Sequence, residues 1–106
     1  MQNYPVRTSH RKNLALPPLE ELLRTNFDHG EVEGDAAVSS YGAISRIAVR
    51  PVGRDLGVEV VMNPKVPEDV AKETIRRYNL FLEAATGFSS KERAKRLRKS
   101  ATSSGA

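Results

Sequence analysis

The 106-residue chain predicts an α+β fold: an antiparallel sheet of about four strands with a long C-terminal helix packed on one face. Three observations predict it. Residues 66–87 carry apolar side chains three and four apart, the spacing of an amphipathic helix. Residues 31–62 hold three strand-like stretches, the first broken at Gly-Asp and the three separated by Tyr-Gly and Gly-Arg-Asp. A second, shorter helical stripe precedes them, so the expected order is strand, helix, three strands, helix. Short turns between neighbouring strands favour an antiparallel meander, with the helices on one face to cover its apolar side.

Each element has its own reason. Tyr4 and Val6 alternate around Pro5, which cannot donate to a ladder, so this is an edge strand or its start. Thr8 to Asn13 is polar and reads as a loop. Pro17-Pro18 opens the first helix, where a missing N–H costs nothing. Leu19, Leu22, Leu23 and Phe27 form its stripe, and Asp28-His29-Gly30 ends it. Glu31 to Tyr41 is the next strand, interrupted at Gly34-Asp35 by a tight turn or a bulge. Ala43 to Val52 contributes Ile44, Ile47, Val49 and Val52. In Leu56 to Met62, Leu56, Val58, Val60 and Met62 point one way. Asn63-Pro64 stops that strand.

The long helix starts at Pro67, with Glu68 and Asp69 at the positive end of its dipole. Ala71, Ile75, Tyr78, Leu82 and Ala85 share one face, widened by Thr74, Phe81 and Phe88. Gly87 is placed to close the helix in the left-handed conformation, with Phe88 folding back on Leu82. Beyond it, Ser89 and Glu92 form a capping box for a further helix over 91–99. Residues 1–88 are therefore expected to form a single domain. Residues 89–106 are expected to be a basic helical extension whose small polar end, 100–106, is disordered.

Charge divides along the same line. The net charge is +4. Residues 1–87 carry 11 Lys and Arg against 12 Asp and Glu, whereas residues 88–106 carry six against one, so the excess belongs to the extension. There is no cysteine, which excludes disulfides, thiolate metal sites and a cysteine nucleophile. No apolar run approaches the roughly 18 residues that cross a bilayer. The opening Met-Gln-Asn-Tyr-Pro lacks the charged and apolar sections of a signal peptide, and a soluble cytoplasmic protein is expected.

The extension is the most suggestive feature. Lys91, Arg93, Lys95, Arg96, Arg98 and Lys99 surround a narrow apolar line of Ala94, Leu97 and Ala101. Such a segment can neutralise phosphates. It lacks interleaved aromatics for base stacking and the broad apolar face of a membrane helix, so nucleic-acid binding would be backbone-driven. The plainer reading is a solvated helix whose like charges keep the protein soluble. A second cationic patch, Arg7, His10, Arg11 and Lys12, could join it; Arg7, Arg11 and Lys12 are the candidate contacts there. Asp28, His29, Glu31, Glu33 and Asp35 form an acidic run that matches no Ca²⁺ loop and reads as a solvated edge. Catalytic motifs are absent: the two histidines stand apart, and Ser39-Ser40-Tyr41-Gly42 is not a nucleophile elbow. No catalytic residue, cofactor or metal is expected. The expectation is a non-enzymatic binding protein whose basic tail engages nucleic acid. The alternatives are a module that dimerises or docks an acidic protein through a sheet edge or the tail, and a small-molecule binder between sheet and helix.

Three stretches also resemble a family. They are Met1-Gln2-Asn3-Tyr4-Pro5-Val6-Arg7, Ser40-Tyr41-Gly42-Ala43, and Phe81 through Arg93 with its Thr86-Gly87-Phe88 and Lys91-Glu92-Arg93 junction. Together they resemble short archaeal proteins, of the type found in methanogens and Thermoplasma, that carry a domain of unknown function. The resemblance implies a cytoplasmic protein without an assigned activity, supplies no catalytic residues, and makes the Gly87 break and the basic tail parts of the domain. The order of elements is also similar to a helix-grip fold or half of a TATA-binding protein. That analogy concerns topology alone.

Overall fold

The structure is a computed structural model that describes residues 2–95. Eight elements follow one another: β1 (Gln2–Pro5), a 3-10 helix (Thr8–Asn13), α1 (Leu16–Phe27), β2 (Glu31–Glu33), β3 (Ala36–Tyr41), β4 (Ile44–Val52), β5 (Asp55–Met62) and α2 (Glu68–Thr86). The strands form one open antiparallel sheet in the order β1-β5-β4-β3-β2. The α+β expectation holds, with five strands rather than four. The extra strand arises because Gly34-Asp35 is a tight turn, so the stretch 31–41 folds back as the β2–β3 hairpin.

The helices share one face of the sheet. Leu19, Leu23 and Phe27 of α1 and Phe81, Leu82 and Ala85 of α2 close over Ala37, Ile47, Val49, Leu56 and Val58. Phe27 lies between Phe81 and Tyr41, with ring centroids 5.7 and 5.8 Å away in tilted contacts. The alternate strand positions point to the opposite face, where Ala36, Val38 and Ala48 make a small second cluster. Together these two faces define a two-layer molecule with its core between sheet and helices.

Two expectations about packing change. The polar run Thr8–Asn13 is a 3-10 helix, not a loop. Asn13 anchors it by donating its side-chain N–H to the Ala84 and Ala85 carbonyls, 3.3 Å each, near the end of α2. The buried face of α2 is also turned relative to the expected stripe. Thr74, Phe81, Leu82, Ala85 and Thr86 are buried, while Ile75 is 53% exposed. Thr74 takes an inner position because its hydroxyl is satisfied there: it donates to the Val70 carbonyl (2.7 Å) and accepts from the Ala43 N–H (2.9 Å). A side chain at Gly42, where φ is +50°, would collide with that hydroxyl.

Gly87 ends α2 as its sequence suggests, with φ +81° and its N–H bonded to the Glu83 carbonyl at 2.8 Å. It is needed twice over. A Cβ there would stand 2.7 Å from His10 Nδ1 and 2.9 Å from Arg7 Cδ. Arg7 donates its backbone N–H to the Thr86 carbonyl (2.8 Å), so the start of the 3-10 helix and the end of α2 are joined.

Candidate nucleic-acid interface

That junction gathers the cations. Pairing of Pro5 with Asp55 brings the β4–β5 turn at Gly53-Arg54 beside the segment leaving β1. The result is a cleft of about 700 Å³ whose polar lining includes Arg7, Thr8, Ser9, Arg11, Arg54 and Asp55, with Phe88 on its wall. Arg7 and Arg11 were expected at a cationic surface; Arg54 was not. No local signal marks Arg54 as anything but a turn residue. Its place follows from the β1–β5 register, which joins segments some fifty residues apart.

The guanidinium groups of this corner fall into two kinds. Arg7 is engaged on several sides: Nε donates to the Gly87 carbonyl (2.8 Å), Nη2 to Glu92 (2.7 Å), and its Cζ lies 4.4 Å from the centre of the Phe88 ring. It therefore fastens the root of the extension to β1. The guanidinium groups of Arg11 and Arg54 make no hydrogen bond or ion pair with another described residue. An anion entering the cleft would meet these two guanidinium groups and the Thr8 and Ser9 hydroxyls, with Asp55 the opposing charge.

The extension begins as its capping box predicts. The Ser89 N–H donates to Glu92 Oε1 (3.2 Å), the Glu92 N–H donates to Ser89 Oγ (3.3 Å), and residues 90–95 are helical. The bonds from Ser89 and the charge of Arg7 hold the Glu92 carboxyl below the usual carboxylate range. Lys91 and Lys95 are exposed and make no ion pair with a described residue.

Arg93 corrects the expectation of an extension whose cations all stand free. It is only 5% exposed. One terminal nitrogen donates to the Phe88 carbonyl and the other to Asn79 Oδ1 at 3.0 Å. Burial lowers its pKa, opposed by the neighbouring Tyr4, Tyr78 and Glu83 groups. Burial, with a hydrogen bond to Tyr4, likewise raises that of Tyr78. The side chain that resembled a phosphate contact is a strut between the extension and α2. The start of the extension is thus docked on the body. Arg96, Arg98 and Lys99 lie outside the described residues, as does the tail 100–106. Lys12 is exposed on the 3-10 helix beside Arg11, although it does not line the cleft.

The acidic run has other duties. Glu33 pairs with Arg46 through contacts of 2.9 and 3.4 Å, and Asp28 caps α1 with φ +68°. His29 Nε2 lies 2.8 Å from the Ser40 carbonyl and 3.3 Å from the Ser40 hydroxyl. Since a carbonyl only accepts, the nitrogen carries the proton in this bond and is not a base toward that hydroxyl. Among the described residues, no three His, Asp or Glu side chains are grouped to hold a metal ion, and no helix is long and apolar enough to cross a membrane.

Comparison with known proteins places the chain. A family model described as a domain of unknown function (DUF5611) matches residues 1–99. Among solved structures, the chain is similar to the hypothetical protein TA0095 from Thermoplasma acidophilum, determined in solution by NMR. The two share 30% identity and a TM-score of 0.67, over 92% of this chain and 97% of that one. No curated protein matches.

Proposed function

Because the chain belongs to the DUF5611 family, whose description assigns no activity, we propose its function from its own geometry: it binds the phosphate backbone of nucleic acid through the cleft beside β1 and the adjoining extension. The observation that carries this reading is the pair Arg11 and Arg54. Both line one cleft, and their guanidinium groups donate to no other described residue. Lys12, Lys91 and Lys95 extend the cationic surface, and Arg96, Arg98 and Lys99 continue the sequence beyond it. A guanidinium matches two phosphate oxygens at once, and hydroxyls such as those of Thr8 and Ser9 accept a supporting role. No base-stacking aromatic is exposed in the cleft, so binding is expected to tolerate many sequences.

The direct test is an affinity titration with duplex DNA and RNA at several salt concentrations, using the full chain and a chain ending at Lys95. This truncation keeps Glu92 and Arg93, which hold the body together. Neutralising about four to six phosphates gives a log–log salt slope near −4 to −5 on duplex DNA, and the truncated chain should retain a shallower slope. Salt-independent or absent binding by the full chain would overturn the proposal. Competition by poly-glutamate as effective as that by DNA would instead indicate an acidic protein as the partner.

A further inference from the structure

We infer that the cleft prefers RNA to DNA, with the Asp55 carboxylate accepting a hydrogen bond from a ribose 2′-hydroxyl. This preference rests on the phosphate-binding reading above and adds the sugar to it. In a site for phosphate alone a carboxylate would repel the ligand, yet Asp55 lines the cleft together with Arg7, Arg11 and Arg54.

Asp55 has no other employment in the described fold. Its backbone is set on both sides, since it pairs with Pro5 of β1 and with Val52 of β4. Leu56, next to it, turns into the core, so Asp55 turns the other way and is half-buried at the cleft. An Asp at a tight turn often bonds the turn amides. The Asp55 carboxylate accepts from no N–H or O–H of a described residue, and it forms no ion pair with Arg7, Arg11 or Arg54. It is an acceptor held on a strand, where position is better fixed than on a loop, with its oxygens unspent.

An ionised carboxylate only accepts hydrogen bonds. The DNA backbone gives it nothing to accept: phosphate, ester and ring oxygens are all acceptors, and the phosphates carry the same charge. The RNA backbone adds one donor per nucleotide, the 2′-hydroxyl, close to the phosphate. With a phosphate on the Arg11 and Arg54 guanidinium groups, a neighbouring 2′-hydroxyl can donate to Asp55, while the Thr8 or Ser9 hydroxyl meets a further phosphate oxygen. Guanidinium donors with a carboxylate acceptor beside them therefore match ribose phosphate better than deoxyribose phosphate. On DNA the same carboxylate stays unpaired near a phosphate and weakens binding. The contact reads the sugar and not the base, in keeping with sequence-tolerant binding.

The test uses the full chain and three duplexes of one sequence: RNA, its 2′-fluoro analogue and DNA. The 2′-fluoro duplex keeps the A-form shape and loses the hydroxyl donor. Affinity titrations at one low salt concentration should show RNA bound about tenfold more tightly than either of the others, the worth of one hydrogen bond to a charged group. Asp55→Ala should bring RNA and 2′-fluoro RNA within about twofold of each other. It should also raise the affinity for DNA, because a like charge has been taken away from the phosphates. Should Asp55→Ala fold poorly, the comparison of RNA with 2′-fluoro RNA on the natural chain stands by itself. Equal binding of those two by the natural chain, or a preference that survives in a well-folded Asp55→Ala, overturns the inference. Equal affinities with a steep salt slope would leave the phosphate reading standing without it, whereas no binding to any of the duplexes would end both.

Discussion

Arg93 and Arg54 are both arginines at the cationic corner of the molecule, yet they do opposite things. Arg93 belongs to the segment with the greatest excess of positive charge and is buried, its terminal nitrogens given to the Phe88 carbonyl and Asn79. Arg54 belongs to the nearly neutral body and faces an open cleft with no partner among the described residues. The difference teaches that a cation becomes a binding group through the acceptors its fold denies it, not through the charge of its neighbours in sequence. Arg7 lies between the two cases: it lines the cleft, but Gly87, Glu92 and Phe88 hold it in place.

The comparison breaks most visibly at Arg93. Arg93→Ala removes a buried charge-assisted pair and leaves the Phe88 carbonyl and the Asn79 amide without it, at a cost of about 2–3 kcal/mol. For a domain of this size that lowers the melting temperature by about 10–20 °C in a calorimetric scan. Arg54→Ala should melt within about 0.5 kcal/mol of the natural chain, as surface substitutions do. Equal losses at the two positions would erase the distinction. Gly87→Ala comes next. The left-handed backbone alone costs about 1–2 kcal/mol for a residue with a Cβ, and that Cβ also presses on Arg7 and His10. Chemical denaturation should show this loss. Because the strained position holds Arg7 in place, the variant should also loosen the cleft.

The smallest expected effect concerns pH. The carboxyls of Glu92, Glu33 and Glu73 are held below their ordinary values, Glu92 chiefly by Ser89, Glu33 by Arg46, and Glu73 by Arg76 and Arg77. Glu73 is pulled from 4.5 to about 2. A depressed pKa contributes stability that is present above the unfolded value and disappears as pH falls through the folded one. Stability should therefore decline between pH 4.5 and about 2. Denaturant midpoints compared at neutral and acid pH should fall less for Glu92→Gln than for the natural chain, because that variant has already lost its share.

Much of the fold was legible because it is written locally. Pro17-Pro18, the Gly87 stop, the Ser89–Glu92 box and the alternation of Leu56 and Val58 each need only a few neighbouring residues to be read. Ile75 was misjudged for a geometric reason. Helical periodicity places it with Tyr78 and Leu82, but Thr74, bonded to Ala43 and Val70, takes the inner position and leaves Ile75 53% exposed. The Gly34-Asp35 ambiguity, turn or bulge, was open in the sequence because both need the same residue types; pairing of Glu31 with Val38 resolves it. The site was less legible. Arg11 was found by composition. Arg54 needed the β1–β5 pairing, and the role of Arg93 needed Asn79, fourteen residues away on another helix.

The most direct test of the account is the salt dependence of duplex DNA affinity for the natural chain and for Arg11→Ala/Arg54→Ala. The account predicts a well-folded double variant whose log–log slope is shallower by about 2, one phosphate contact for each guanidinium removed. A double variant with the slope and affinity of the natural chain would contradict it, since the cleft would then contribute nothing to binding.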